Sequence, residues 1–146
     1  YSLEWGELSP DSPAIVSYIA ACIPCFAWPA LLRWTVTQRA TVYEQLTHGI
    51  RYFDIRVAMK NNKFHFVHGL YGADLEDLLA EVRDFLTLRS GEVVLLDFQH
   101  LYGLTREDHI FLGDLLKNIF SGLICPPYES LAHLTLLYLI RHKYQV

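Results

Sequence analysis

Gly49-Ile50-Arg51-Tyr52-Phe53-Asp54-Ile55-Arg56-Val57, followed by Phe64-His65-Phe66-Val67-His68-Gly69, is the stretch on which the fold turns. Aromatic and β-branched residues dominate both runs, and Asn61-Asn62 lies between them, so the reading is two strands joined by a tight turn. Strand side chains repeat every second residue on one face, which places Asp54 and Arg56 together. Neither residue type enters an apolar strand without a partner or a polar site to face. His68 ends the second strand. A carboxylate, a permanently charged guanidinium and an imidazole at strand ends are the groups needed to handle a phosphate. Arg56 offers a rigid fork of donors to phosphate oxygens. His68 can give a proton to a leaving oxygen or take one from an attacking hydroxyl. Asp54 either pairs with Arg56 or orients a histidine. The purely structural alternative is a strand-end ion pair beside a histidine satisfied in the core.

Outward from this pair the pattern is alternating. Thr37 to His48 reads as a helix, with Val42 and Leu46 on one side, Glu44 and Gln45 on the other, and Gly49 as its left-handed cap. Ile50 to Val57 and Phe64 to His68 are the strands. Asp74 to about Leu88 is a helix, because Leu75, Leu78, Leu79, Val82, Phe85 and Leu86 recur at helical spacing and acidic residues open it. Glu76, Asp77, Glu81 and Asp84 form its solvated face. Ser90-Gly91 stops that helix. Glu92 to Phe98 carries the continuous run Val93-Val94-Leu95-Leu96, expected of a strand buried on both faces in a parallel sheet. Thr105 caps a helix to about Phe120, Cys125-Pro126-Pro127 is a loop, a short helix follows Tyr128, and Tyr144-Gln145-Val146 reads as the start of another strand. This order is the rhythm of a (β/α) barrel, and the fold class is α/β.

The composition narrows the function. The chain has 146 residues, enough for one compact domain, and a net charge of −4, which argues against a nucleic-acid surface. Of the three cysteines, Cys22 and Cys25 form a C-x-x-C, but Pro24 lies inside it and no second pair with metal-ligand spacing follows. Residues 1–13 are polar and turn-rich, with Ser9-Pro10-Asp11-Ser12-Pro13 a loop. Ala14 to Leu32 is almost wholly apolar and approaches the ~20 residues that span a bilayer, but Pro24 and Pro29 interrupt it and no basic cluster precedes it. It is expected to be buried in the core or to lean on a membrane. Tyr18, Phe26, Trp28 and Trp34, with Arg33, would suit a lipid interface.

Four motifs in order carry a resemblance. Arg33-Trp34-Thr35-Val36-Thr37-Gln38, Glu44-Gln45-Leu46 through Arg56, Phe66-Val67-His68-Gly69-Leu70-Tyr71-Gly72 and Glu92-Val93-Val94-Leu95-Leu96-Asp97-Phe98 closely resemble the X domain of phosphatidylinositol-specific phospholipase C. Within that group they are most similar to the eukaryotic X-domain-containing proteins. The resemblance covers about residues 33–146. It implies a distorted TIM barrel that cleaves an inositol phospholipid by attack of the inositol 2-hydroxyl on phosphorus, with one histidine as general base and another protonating the leaving oxygen. His68 corresponds to the second. Arg56 stands where bacterial enzymes have an arginine and calcium-dependent animal enzymes a carboxylate ligand, so no cofactor and no calcium are implied. Asp54 is the neighbouring carboxylate, expected to face Arg56. The implied partner is an inositol phospholipid or a membrane surface.

The departures are equally informative. The family's first histidine lies in a Gly-Ser-His-Asp-Ser motif, and none of the seven histidines here has that context. A TIM barrel also takes about 250 residues. The expectation is therefore about half of a barrel: a single partial X domain with a loop at 1–13, an apolar segment at 14–32 and the core at 33–146, catalytically feeble by itself. Asp97, Gln99 and His100 close the Glu92 strand, at the end where barrel active sites lie, and are candidate substrate-binding residues. His65 is expected to be structural or at the surface. Two other readings stand beside this one. One is a non-catalytic lipid-binding or regulatory remnant using Arg56 and the apolar segment. The other, a glycerophosphodiester phosphodiesterase, is disfavoured because that family has a metal-binding Glu-x-Asp where this chain has Asp54-Ile55-Arg56.

Overall fold

A strand whose odd and even residues have opposite chemistry needs a sheet with two unlike faces, and the computed structural model, which describes residues 7–22 and 24–146, has one. Four strands, β1 (Tyr52–Lys60), β2 (Lys63–Val67), β3 (Tyr71–Asp74) and β4 (Leu95–Tyr102), form a single sheet in the order β3-β2-β1-β4. β1 and β2 are an antiparallel hairpin, and β2 and β3 are also antiparallel. Asn61 and Asn62 turn the hairpin with φ of 50° and 61°, the left-handed pair that matches strand twist. β4 returns parallel to β1.

Among the described residues six α-helices accompany the sheet: α1 (Ala14–Cys22), α2 (Pro24–Thr35), α3 (Val42–Thr47), α4 (Leu75–Thr87), α5 (Arg106–Ile119) and α6 (Leu136–His142). The core lies between one sheet face and α3, α4 and α5. Phe53, Ile55 and Val57 of β1 meet Val42 and Leu46 of α3, the apolar stripe of α4, and Leu112 and Phe120. The α4 stripe is the one its heptad-like spacing predicts: Leu75, Leu78, Leu79, Val82, Phe85 and Leu86 are all buried.

The boundaries follow local chemistry. The helix expected from Thr37 starts at Val42, because Thr41 builds a capping box: its hydroxyl accepts from Glu44 N at 3.1 Å and the Glu44 carboxylate accepts from Thr41 N at 2.8 Å. Gly49 leaves it with φ +95°, as a cap glycine should. Thr105 and Asp108 repeat the device on α5. β3 was not legible: Tyr71-Gly72-Ala73-Asp74 is too short and mixed to read as a strand, and it exists because β2 offers it an edge.

Three expectations are corrected. The Glu92 strand begins at Leu95 and is not buried on both faces: Leu96, Phe98 and Leu101 pack against the core, while Leu95 is 55% exposed. Among the described residues, α3, α4 and α5 pack on the core face of the sheet. Tyr144-Gln145-Val146 forms no strand. Its backbone does reach Val94, whose N–H donates to the Gln145 carbonyl at 2.8 Å, but the buried Gln145 amide donates instead to the carbonyls of Arg89 and Glu92 at 2.8 and 2.9 Å. The segment is a plug between the end of α4 and the start of β4. Finally, the apolar segment is two helices, and Ile15, Tyr18 and Trp34 on them are exposed rather than buried. Pro24 opens α2, where a missing N–H is tolerated, and Pro29 lies inside it. No helix among the described residues is long and apolar enough to cross a membrane. The side chains of Cys22, Cys25, Phe26 and Trp28 lie outside the described residues, and so does the reading made of them.

Leu79 is fully buried at the centre of α4, whereas Leu88, just past its end, is 73% exposed. Leu79→Ala is expected to lower the unfolding free energy by about 2–5 kcal/mol, and Leu88→Ala by less than about 0.5 kcal/mol. Urea denaturation of both variants measures this, and equal losses would overturn the assigned helix face.

Candidate functional site

On the face of the sheet opposite α3, α4 and α5, Tyr52, Asp54 and Arg56 of β1 stand in a row and reach solvent, while Ala58 further along the same row is buried. Asp54 and Arg56 make a two-point contact, Nη2 to Oδ2 at 3.2 Å and Nε to Oδ1 at 3.4 Å. Their side chains are 40% and 37% exposed, so the pair contributes at most about 1 kcal/mol to stability and orients more than it stabilises. The Asp54 hydrogen bond, then its charge, raises the already high pKa of Arg56. Among the described residues Asp54 is the hydrogen-bond partner of the guanidinium, and the Nη1 side of the fork remains open to a ligand.

His68 follows the last residue of β2 in a turn held from several directions. Its own N–H donates to the Leu70 carbonyl at 3.1 Å, and the Gly69 N–H donates to the Asp11 carboxylate at 3.0 Å. Ser9 N donates to Gly69 O at 3.2 Å, Tyr71 N to Glu7 O at 3.1 Å, and Leu8 bridges Leu70. Gly69 has φ +73°, and a Cβ there would meet Thr35 Cγ2 at 3.4 Å, so this tight turn requires glycine. The His68 imidazole itself is exposed, with no side-chain hydrogen-bond partner among the described residues. Asp54, Arg56 and His68 all line one cavity of about 430 Å³, together with Thr35, Thr37 and Gln38 from the segment after α2. The tertiary structure therefore brings together the three groups proposed to handle a phosphate.

The second candidate set lies elsewhere. Asp97, Gln99 and His100 are on β4, beside Asp54 and Arg56 on the open face but not in the cavity wall. Asp97 sits opposite Asp54 and accepts hydrogen bonds from the Tyr52 hydroxyl and from Gln99 Nε2, the latter at 3.0 Å. The Tyr52 bond, then the Gln99 bond, holds the Asp97 carboxyl below the usual carboxylate range, and Asp97 in turn raises the Tyr52 phenol. Each of the two facing carboxylates thus has its own partner. Among the described residues no cluster of three or more His, Cys, Asp or Glu side chains is arranged to hold a metal ion. His65, turned away from His68, contacts the Gly72 carbonyl through Nδ1 at 3.1 Å and the edge of Tyr71, a structural role.

Two residues near the site escaped the sequence reading. Asp11, read only as part of a turn, supports the His68 turn and adds to the field favouring the Arg56 cation. Tyr52, read as an ordinary strand aromatic, proves 52% exposed and tied to Asp97. Its even spacing with Asp54 and Arg56 was the available signal. Because a depressed carboxyl adds stability only above its unfolded pKa, the contribution of Asp97 is present at neutral pH. It disappears as pH falls through the lowered folded value. In Tyr52→Phe the Asp97 carboxyl is expected to titrate at higher pH than in the parent, read from its side-chain carbon resonance by NMR. An unmoved titration would remove Tyr52 as the cause.

No family model matches the chain. PI-PLC X domain-containing protein 3 of Mus musculus is 35% identical over 150 aligned residues, covering 100% of this chain and 46% of that protein. PI-PLC X domain-containing protein 2 of Mus musculus is 40% identical over 118 residues, covering 78% and 34%, and protein 1 of Homo sapiens 36% over 129 residues, covering 85% and 40%. The chain spans about half the length, 46%, of the first of these relatives. A solved structure of S. aureus phosphatidylinositol-specific phospholipase C, in work on its membrane binding, superposes with a TM-score of 0.54 at 21% identity, over 66% of this chain and 35% of that one. That likeness extends to the fold. With motif order and similarity along 78–100% of this chain in agreement, the chain belongs to the family of the PI-PLC X domain-containing proteins, spanning 34–46% of the length of these members.

Proposed function

We propose that the chain carries part of the active site of a phosphoric diester hydrolase of the phosphatidylinositol-specific phospholipase C type, acting on an inositol phospholipid or a related phosphodiester. The observation that carries this is the convergence of Asp54, Arg56 and His68 on one cavity. In this reading the inositol 2-hydroxyl oxygen attacks phosphorus and the bond from phosphorus to the lipid alcohol oxygen breaks. The His68 imidazolium gives its proton to that leaving oxygen. Arg56, aimed by Asp54, balances the charge that builds on the phosphate oxygens, a task a metal ion performs in other enzymes. Calcium then has no role. In this reading the four-stranded sheet belongs to a partial TIM-type (β/α) barrel, in which further strands would close over the polar face.

The base that takes the proton from the attacking hydroxyl belongs, in the family pattern, to a Gly-Ser-His-Asp-Ser motif, which these 146 residues do not contain. The isolated chain is therefore a feeble enzyme or an inactive one. A second reading, a lipid-binding element without turnover, draws on the exposed Ile15, Tyr18 and Trp34 of α1 and α2, which suit a membrane surface.

Both readings are tested in a full-length protein carrying this sequence. Turnover of phosphatidylinositol is expected, falling about 10²- to 10⁴-fold in His68→Ala and about 10²- to 10³-fold in Arg56→Gln, and unchanged by calcium chelation. The 146-residue chain alone is expected to lose at least about 10²-fold against the full-length protein. Retained activity in His68→Ala would reject its assignment as the acid. Vesicle binding without any turnover would favour the second reading.

A further inference from the structure

A histidine that moves a proton is ordinarily aimed by a hydrogen bond on its second ring nitrogen. The His68 imidazole has no such partner among the described residues, so its aim rests on the backbone that carries it. Both peptide units that meet at the His68 Cα are held. The one before it presents the His68 N–H, which donates to the Leu70 carbonyl at 3.1 Å. The one after it presents the Gly69 N–H, which donates to the Asp11 carboxylate at 3.0 Å. The next unit is fixed as well, because Ser9 N donates to the Gly69 carbonyl at 3.2 Å. Peptide units are planar, so holding the two flanking planes sets φ and ψ of His68 and with them the direction of its Cα–Cβ bond. One of those two planes is held by a side chain 58 residues away in sequence.

The Asp11 carboxylate is itself held. Ser9-Pro10-Asp11-Ser12 closes a β-turn through the Ser12 N–H, which donates to the Ser9 carbonyl at 2.9 Å, and Pro10 occupies the corner that its fixed φ suits. One Asp11 oxygen takes the Gly69 N–H and the other accepts from the hydroxyl of Ser9, which is buried. The run before the turn ties it down. Leu8 bridges Leu70, the Glu7 carbonyl accepts from Tyr71 N at 3.1 Å, and the Glu7 carboxylate meets the Lys60 ammonium at 3.1 Å. Thr35 closes on the same glycine, its Cγ2 3.4 Å from the place a Cβ would take. Residues 7–11 thus form a strap across the turn that carries His68, with Asp11 as its one side-chain contact to the Gly69 peptide.

We propose that Asp11 is a positioning residue for the proton transfer, acting through the Gly69 peptide to aim the His68 imidazole at the leaving oxygen. The inference rests on the phosphodiester reading above. Asp11 is not in the cavity wall, so it acts on the site through His68 alone. A displaced proton donor slows the chemical step while ground-state binding at Arg56 is kept, so the effect falls on kcat. It also falls only on substrates whose leaving oxygen needs a proton.

The test uses the full-length protein with two substrates. Phosphatidylinositol expels an alkoxide that must be protonated, whereas the 4-nitrophenyl ester of inositol phosphate expels a phenolate that leaves without a proton. Asp11→Ala is expected to lower kcat on phosphatidylinositol about 10- to 10²-fold with KM changed less than about threefold, and to slow the nitrophenyl ester less than about threefold. Asp11→Asn, which keeps an acceptor oxygen for the Gly69 N–H, should recover most of the lost rate. Ser9→Ala, which frees the other carboxylate oxygen, should show the same split between substrates in smaller measure, and does so even if Asp11→Ala fails to fold. Asp114→Ala, removing an exposed carboxylate from α5, should change neither rate. An unmoved kcat in Asp11→Ala overturns the inference. Equal losses on both substrates, or a lowered melting temperature with no recovery in Asp11→Asn, also overturn it by marking a structural role. In each of these cases the phosphodiester reading survives if His68→Ala still loses turnover of phosphatidylinositol. A wild-type protein that turns over neither ester rejects that reading and the inference with it.

Discussion

The period-two alternation of β1 is the constraint on which the rest depends. Phe53, Ile55 and Val57 must be buried and Asp54 and Arg56 must not, so helices can cover only one face of the sheet. α3 and α4 supply that cover, and Arg51, one residue before the strand, locks them to it. Its guanidinium donates to Glu92 at 2.8 Å and to the Leu46 carbonyl at 2.6 Å, and lies 4.8 Å over the Phe85 ring. One side chain thereby joins the end of α3, the face of α4 and the approach to β4. A register slip of one residue would exchange the two faces of β1, placing a carboxylate and a guanidinium among leucines.

The polar face is held by weak but mutually consistent contacts. Asp54 aims Arg56, Tyr52 and Gln99 occupy Asp97, and each of the two facing carboxylates is thereby given separate work. None of these exposed contacts stabilises the fold appreciably. Their effect is orientation, which is what binding a small anion requires. The turn carrying His68 is constrained more firmly, by backbone bonds to residues 7–9 and by the Asp11 carboxylate. A segment far away in sequence, read as a plain polar loop, fixes the position of the proposed acid.

Much of this was legible in the residues. The α4 stripe, the Asn61-Asn62 turn, the caps at Gly49 and Thr105, and the pairing of Asp54 with Arg56 all follow from local periodicity and turn chemistry, and appear where expected. What was not legible depends on neighbours. β3 is a strand because β2 is there to pair with, and Leu95 is exposed although it lies in an apolar run. The apolar segment was open to burial or to a lipid surface, because apolar composition says nothing about whether a helix is covered, and Ile15, Tyr18 and Trp34 prove exposed.

The sequence by itself determined which residue types could do chemistry and on which strand face Asp54 and Arg56 lie, because side-chain alternation is a local property of the backbone. Motif order determined the family as well. Only the tertiary structure decided that His68 shares a cavity with them, that Asp11 secures its turn, and that His100 rather than Gln99 stands beside Arg56. Those relations depend on pairing between segments far apart in the chain.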